Sequence, residues 1–163
     1  ISARSRGAEV LVVGTKQDEQ VRLSAAEKLG FRTLIVGQSH LPLHEQVEKQ
    51  FPGGADTLIE ASGSPQALGD SWRSVRPDGV ITAVALYART IELDLTQFLR
   101  KQIDLRTSYA SSQADYHRAF ELLRNGDVES NILLSFYNLT EADQGFADSE
   151  KLKVMKAMVN CQS

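Results

Sequence analysis

Short apolar runs alternate along the chain with longer segments in which apolar residues recur every three or four positions. Short runs of this kind predict buried β-strands, and the longer spacing predicts amphipathic helices. The predicted strands cover residues 9–14, 33–36, 56–61, 80–86 and 104–110, and the predicted helices cover residues 18–29, 43–51, 64–74, 97–101 and 112–124. A strand at 133–139, a helix from Thr140 and a strand at 154–159 follow. This alternation is typical of an α/β fold in which crossover helices connect parallel strands.

Glycine, proline and capping residues mark the ends of these helices. Gly30 ends the first helix, and Pro52 with the two following glycines ends the second. Ser64 is predicted to cap the third helix, which starts at Pro65. Ser112 and the aspartate three residues later resemble a capping box.

Two apolar segments differ in their pattern. Residues 80–86 are apolar except for Thr82, which predicts a central strand covered on both faces. The alternation that begins at Ile91 and ends at Leu95 predicts instead an edge or interface strand, with one face towards solvent or a partner.

Composition and charge narrow the class of protein. The 163 residues predict a single domain, 1–163, and 42% hydrophobic with 24% charged residues is ordinary for a globular protein. A formal net charge of −3 argues against a nucleic-acid partner, and no apolar run approaches a membrane span. Cys161 is the only cysteine, so no intramolecular disulfide or cysteine-based metal site is expected, and a reducing cytoplasm is the default location.

The first residues of the sequence predict that an earlier part of the fold is missing from it. Ile1 is not an initiator residue, and residues 1–6 suggest the last turns of a helix that ends before a turn at Gly7. In an alternating fold, a strand and a tight phosphate-binding turn should precede such a helix. We therefore expect the chain to be the later part of a larger enzyme.

Two strand ends are candidates for ligand binding. In dinucleotide-binding folds, the residue at the end of one strand meets the adenosine ribose. A carboxylate there selects NAD, whereas small and basic groups admit the additional phosphate of NADP. Here the strand ends in Gly14-Thr15-Lys16, and Asp18 is close enough to reach the ribose, so the choice between NAD and NADP stays open. Gly63 places backbone donors between a strand and a helix. Both segments could equally be ordinary strand-to-helix turns.

Other chemistry-bearing residues have simpler explanations. His40 and His44 have the spacing of a helical metal site, but Pro42 between them interrupts the helix. His117 is predicted to lie on the surface. No nucleophile, base and acid arrangement is evident, so we predict no catalytic group in this chain. Three large apolar residues are predicted to belong to the core: Trp72, Phe120 and Leu123.

Several short stretches carry a family resemblance in their order and spacing. They include residues 6–15, 26–30, 54–56, 59–65, 75–79, 120–126 and 153–157. Together they resemble the cofactor domain of the medium-chain dehydrogenases/reductases, the zinc alcohol dehydrogenase superfamily, and especially its polyol and threonine dehydrogenase branch.

The resemblance implies a Rossmann-type, doubly wound and mostly parallel sheet that binds NAD or NADP. It places the adenosine ribose near the first strand end and the nicotinamide near the later strand ends. The implied cofactor-binding residues are Gly14, Thr15, Lys16, Arg22, Ser62, Gly63, Val84, Ala85, Leu86, Ser108 and Tyr109.

The resemblance also implies parts that this sequence lacks. The phosphate-binding turn, the first strand and an amino-terminal catalytic domain with the zinc ligands should all precede Ile1. The chain alone is therefore expected to be inactive, with two unpaired strand edges where the first strand would lie. The strand from Ile91 to Leu95 would pair with its counterpart in a second subunit, giving a dimer or tetramer.

Three functions are compatible with this interpretation. The first is the cofactor domain of a zinc-dependent dehydrogenase acting on the secondary alcohol of a polyol, sugar alcohol or hydroxy-amino acid. The second is a zinc-independent, quinone-type reductase of the same superfamily. The third is a nucleotide-binding regulatory domain without catalysis.

Overall fold

The computed structural model describes residues 1–161 and divides the chain into two compact units. The first unit contains residues 1–39 together with the chain from Ser111 onward, and the second contains residues 40–110. Every paired strand runs parallel to its neighbour, and helices lie between successive strands. The predicted α/β class with parallel strands is confirmed.

The amino-terminal part of the first unit is a two-stranded sheet with one crossover. A 3₁₀ turn at Arg4–Arg6 ends at Gly7, whose φ of 86° requires the left-handed conformation that glycine tolerates. The strands β1 (Leu11–Gly14) and β2 (Arg32–Ile35) pair from Leu11 opposite Arg32. Four side chains form its buried core: Leu23, Ala25, Leu29 and Phe31.

The crossover between β1 and β2 is less regular than the sequence predicts. In place of one helix over 18–29 there is a 3₁₀ turn (Lys16–Asp18), a π-helical turn (Glu19–Leu23) and a short helix α1 (Ser24–Lys28). Wider π-type turns often occur at functional sites.

The carboxyl-terminal part of the first unit contains helices α5 (Gln113–Arg124), α6 (Ser130–Leu133) and α7 (Ala142–Glu150). A 3₁₀ turn (Leu139–Glu141) precedes α7, and strands β6 (Leu134–Asn138) and β7 (Lys156–Asn160) form a parallel pair. The Ser112–Asp115 capping box of α5 is confirmed. The core positions predicted for Phe120 and Leu123 are wrong, because these side chains are 66% and 49% exposed. Within the described residues, the apolar side of α5 has no buried residue.

The second unit is a three-stranded sheet covered by helices. It contains α2 (Leu43–Gln50), β3 (Ala55–Glu60), α3 (Pro65–Asp70), a 3₁₀ turn (Ser71–Arg73), β4 (Val75–Ala83), α4 (Leu95–Lys101) and β5 (Asp104–Thr107), in the sheet order β3-β4-β5. Its core consists of Leu68, Val75, Ile81, Ala83 and Phe98, with Trp72 packed beside them as predicted.

Strand β4 is central in this sheet, as predicted, but one of its faces is only half-buried at Val80 and Thr82. The turn-like sequence Arg76-Pro77-Asp78-Gly79 lies inside β4, where the pairing with β3 is irregular, and Asp78 adopts a positive φ there. The irregularity lets one strand contain both the polar turn and the apolar run.

The alternating segment from Ile91 forms no strand in the described part of the chain. Its alternation is still present in the burial, because Ile91 and Leu93 pack on the core while Glu92 and Asp94 are exposed. Asp94 then caps α4, which begins at Leu95. The edge strand predicted at 91–95 is therefore wrong for the chain by itself.

The described strands form three separate sheets, β1-β2, β3-β4-β5 and β6-β7. In the doubly wound order 3-2-1-4-5-6, the second and third strands lie on one side of the first strand and the fourth to sixth on the other. The pair β2-β1 matches the strand order 3-2, and the order β3-β4-β5 matches the strand order 4-5-6. Strands β1 and β3 belong to different sheets among the described residues.

Candidate functional site

The loop after β1 is shaped by one carboxylate. Asp18 accepts hydrogen bonds from the Thr15 backbone N–H at 2.9 Å and from the Thr15 hydroxyl at 2.8 Å. Gly14 fits this turn closely, since a Cβ there would lie 3.1 Å from the Cβ of Asp18 and from a methyl of Leu23. The turn therefore depends on contacts within a few residues.

Two cationic side chains in this loop form ion pairs with its carboxylates. The Arg22 guanidinium lies 2.8 Å from the other Asp18 oxygen, and Lys16 pairs with Glu19. Partial burial alone would raise the pKa of Asp18, but hydrogen bonds from Thr15 and Arg22 outweigh it and lower this pKa below its usual value. Asp18 is thus an ionised group held by its own loop. The exposed side chains of the loop include those of Thr15, Lys16 and Arg22.

A second carboxylate shapes the loop after β3. Glu60 is only 4% exposed and accepts hydrogen bonds from the Ser62 hydroxyl, from the Ser62 N–H at 2.8 Å and from the Gly63 N–H at 3.4 Å. The Ser62 hydroxyl in turn accepts from the Ser64 N–H at 3.1 Å. The turn that leads into α3 is therefore built around a buried charge.

Glu60 also connects this turn to the loop after β4. The Tyr87 hydroxyl donates to the second oxygen of Glu60. The two loops approach closely, because a Cβ on Gly63 would lie 2.8 Å from the carbonyl oxygen of Leu86. Gly63 also has a φ of 71°, so this position needs glycine for two reasons.

The acid–base properties of the pair follow from this geometry. Burial alone would raise the pKa of Glu60, but hydrogen bonds from Ser62, Tyr87 and Gly63 lower it overall. Burial and the neighbouring carboxylate both raise the pKa of the Tyr87 hydroxyl. At neutral pH the pair is therefore an ionised carboxylate that accepts a hydrogen bond from a neutral phenol.

The predicted site residues of the second unit share one edge of its sheet. Backbone hydrogen bonds from Val84 to the Glu60 carbonyl, 2.9 Å, and from Ser108 to the Ala83 carbonyl, 3.1 Å, extend the ladder past the strand ends. The carboxyl ends of β3, β4 and β5 therefore carry Ser62, Gly63, Val84, Ala85, Leu86, Ser108 and Tyr109. Leu86 and Tyr109 are 79% and 83% exposed. Ligands of open α/β sheets bind at this edge.

The remaining predicted residues belong to the first unit, where Gly14, Thr15, Lys16 and Arg22 lie at or beyond the end of β1. Sequence reasoning missed Glu60 and Tyr87, although a glutamate closing an apolar strand is an unusual residue for a buried position. That mismatch was the available signal for Glu60. No local pattern indicates Tyr87.

The described residues do not contain the ligands of a metal site. Among residues 1–161, no group of three or more His, Cys, Asp or Glu side chains is placed to hold a metal ion. In the same residues, no helix is long and apolar enough to cross a membrane.

The family model and the sequence relatives that this chain matches both describe dehydrogenases. A family model described as zinc-binding dehydrogenase matches residues 1–125. The sorbitol dehydrogenase of Halalkalibacterium halodurans is 29% identical over 159 residues, covering 94% of this chain and 46% of that protein. The chain thus spans about half the length of the curated relatives it matches.

Solved structures show the same fold at low identity. The 2R,3R-butanediol dehydrogenase of Bacillus subtilis superimposes with a TM-score of 0.87 at 18% identity, over 98% of this chain and 46% of that one. A short chain alcohol dehydrogenase from E. coli CFT073, complexed with NADH, gives a TM-score of 0.76 at 16% identity, over 93% and 43% of the two chains.

Proposed function

Because the chain belongs to the zinc-binding dehydrogenase family, we propose that it forms the cofactor-binding domain of an enzyme that transfers hydride between a secondary alcohol and NAD or NADP. The observation that carries the proposal is the shared edge at the carboxyl ends of β3, β4 and β5. Exposed apolar side chains at Val84 and Leu86 suit the face of a nicotinamide ring. The hydroxyl-bearing Ser108 and Tyr109 suit its carboxamide.

The loop after β1 is the proposed adenosine side. The carboxylate of Asp18 is engaged by Thr15 and Arg22, and the exposed groups of the loop include a hydroxyl and two cations. These groups could hydrogen-bond a ribose or pair with a 2′-phosphate, so either cofactor is compatible. Comparing NADH with NADPH in an Arg22→Gln variant decides between them. A role for Arg22 at a phosphate predicts a loss of NADPH affinity alone, and equal affinities before and after the substitution would exclude that role.

We propose that the reaction with the alcohol substrate depends on a part of the complete enzyme outside this sequence. Zinc, when bound in the complete enzyme, would polarise the alcohol oxygen. The described residues contain no group of three or more His, Cys, Asp or Glu side chains placed to hold it. The residues of this chain would bind and orient the cofactor. A polyol or sugar alcohol substrate is proposed from the relatives' names, and a cytoplasmic location remains a prediction.

Cofactor titration of the full-length protein tests the proposal. Energy transfer from Trp72 to NADH gives the affinity, and a Leu86→Glu variant places a carboxylate where the nicotinamide would lie. We expect that variant to weaken NADH binding about tenfold or more, because the introduced charge must be desolvated. Leu99→Glu is the matched control, since Leu99 is 70% exposed on α4, outside the proposed site. Unchanged binding by Leu86→Glu, or an equal loss in Leu99→Glu, would contradict the proposed site.

Turnover measurements separate the alternatives. Alcohol-dependent reduction of NAD or NADP that a zinc chelator abolishes supports the zinc-dependent enzyme. Quinone reduction that a chelator leaves unchanged supports the zinc-independent reductase. Cofactor binding without turnover of either kind supports the regulatory domain.

We also propose that the segment from Ile91 to Leu95 pairs with its counterpart in a second subunit. Its alternating burial and its lack of a strand partner in the described chain support this role. The mass of the full-length protein in solution tests it, and a strict monomer at all concentrations would contradict it.

A further inference from the structure

Glu60 is unusual because it is a buried, ionised side chain whose described hydrogen-bond partners are all neutral. Buried charges are normally paired with an opposite charge or fully hydrogen-bonded. Glu60 is stabilised by hydrogen bonds and not by an opposite charge, because four donors from three residues, Ser62, Gly63 and Tyr87, surround its carboxylate. Loss of one donor leaves a charge that the protein can no longer satisfy. The geometry of these donors is therefore strongly constrained.

The constraint acts on two loops at once. Ser62 and Gly63 belong to the turn after β3, and Tyr87 belongs to the loop after β4, 27 residues from Glu60. Three backbone groups of the two loops thereby gain fixed positions: the N–H groups of Ser62 and Gly63 and, through the close approach at Gly63, the carbonyl of Leu86. We call Glu60, Ser62, Gly63 and Tyr87 the Glu60 cluster.

We propose that Glu60 is a positioning residue for nicotinamide binding, holding the Ser62–Gly63 turn and the Val84–Tyr87 loop in one arrangement. The inference rests on the proposed function, which places the nicotinamide at these two loops. Glu60 itself does not touch the cofactor, because its carboxylate is occupied by the cluster. Tyr87 acts through the same carboxylate and has the same role.

Two substitutions break the cluster in different ways. Glu60→Gln keeps the shape but replaces one acceptor oxygen by an N–H₂ group that faces the Gly63 N–H and the Tyr87 hydroxyl. Tyr87→Phe removes one hydroxyl and leaves the Ser62 half intact. Glu45→Gln and Tyr116→Phe are matched controls, because both residues are exposed and lie outside the cluster.

The experiment measures affinity for NADH and for ADP-ribose, which lacks the nicotinamide, in the full-length protein. We expect each cluster variant to weaken NADH binding about tenfold, the effect of a lost hydrogen bond to a charged group, and to leave ADP-ribose within about twofold. The NADH affinity of the Glu60→Gln/Tyr87→Phe double variant should be no lower than that of the single variant with the lower affinity, because both changes disrupt the same Glu60 cluster. Both control variants should bind both ligands as wild type does.

The outcomes separate the two proposals. Wild-type NADH affinity in both cluster variants, or equal losses of NADH and ADP-ribose affinity, would overturn the positioning role and leave the proposed function standing. A wild-type protein that binds neither ligand nor any nicotinamide cofactor would overturn both. Hydrogen exchange at the Ser62 and Gly63 amides checks the cluster without a cofactor, and faster exchange is expected in Glu60→Gln. If Glu60→Gln does not fold, Tyr87→Phe alone decides, since it removes a single oxygen.

Discussion

The loops after β1 and β3 use the same device in different surroundings. In each, a carboxylate accepts hydrogen bonds from the turn that follows a parallel strand. The Asp18 side chain is 16% exposed and is paired with Arg22, and its partners lie within four residues. Glu60 is 4% exposed, has neutral partners and reaches Tyr87 in another loop.

This difference teaches where a loop carboxylate matters most. Removing Asp18 would loosen one local turn that solvent can partly rehydrate. Removing Glu60 would leave buried donors unsatisfied in two loops, a larger penalty. Burial and sequence separation, more than the number of hydrogen bonds, distinguish the two sites.

The largest expected effect comes from deleting each carboxylate. Glu60→Ala should lower the free energy of unfolding by about 3 kcal/mol, because the Tyr87 hydroxyl and the Ser62 N–H lose their buried acceptor. Asp18→Ala should lower it by about 1 kcal/mol, the usual effect of losing a helix-capping side chain. Urea unfolding measures both values. Equal losses in the two variants would contradict the comparison.

Replacing the glycine of each loop by alanine should also destabilise the protein more in the loop after β3 than in the loop after β1. Gly63→Ala combines a positive φ with a Cβ that would lie 2.8 Å from a backbone carbonyl, and should destabilise by about 2 kcal/mol. At Gly14 the nearest atoms are side-chain carbons at 3.1 Å and φ is not positive, so Gly14→Ala should cost less than about 1 kcal/mol. Thermal unfolding of both variants tests the order, and a larger loss at Gly14 would reverse it.

The pH dependence of stability should reveal the ionised carboxylates. Folding lowers the pKa of both Asp18 and Glu60, from reference values of 3.8 and 4.5. Their stabilisation is therefore complete above those values and is lost as the pH falls towards the folded pKa. Glu60→Gln should flatten the decline of the urea midpoint between about pH 5 and pH 3. A decline as steep as in wild type would show that folding does not lower the pKa of Glu60.

The smallest effect is expected at the exposed ion pair. Arg22→Met should change the free energy of unfolding by no more than about 0.5 kcal/mol, since Arg22 is 52% exposed and such pairs contribute little. Chemical unfolding with and without added salt checks this value. A loss as large as that of Glu60→Ala would mean that the charge partner, and not burial, makes a loop carboxylate important.

Much of the fold follows from local sequence. All five strands predicted for the doubly wound region lie within a few residues of their observed positions, because short apolar runs between turn residues mark them even where a strand is partly exposed. Ser64 and Ser112 cap helices as their sequence context indicates. The less accurate predictions concern α5 and the segment at Ile91, where an amphipathic pattern specifies an apolar face but does not say what covers it.

The candidate site was predictable only in part. The strand ends that carry the predicted residues were visible because glycine, serine and threonine follow apolar runs there. The Glu60 cluster was not, since its two halves are 27 residues apart and only the pairing of β3 with β4 brings them together. The engagement of Asp18 was likewise hidden, because a carboxylate near a strand end can face either a ligand or its own loop.

The sequence by itself determined the α/β class, the order of the strands and the family, all of which depend on local periodicity and on short stretches in a fixed order. Tertiary structure alone decided which charges are buried and which partners they have. A hydrogen bond between two loops depends on the register of adjacent strands, and that register places Tyr87 at the carboxylate of Glu60.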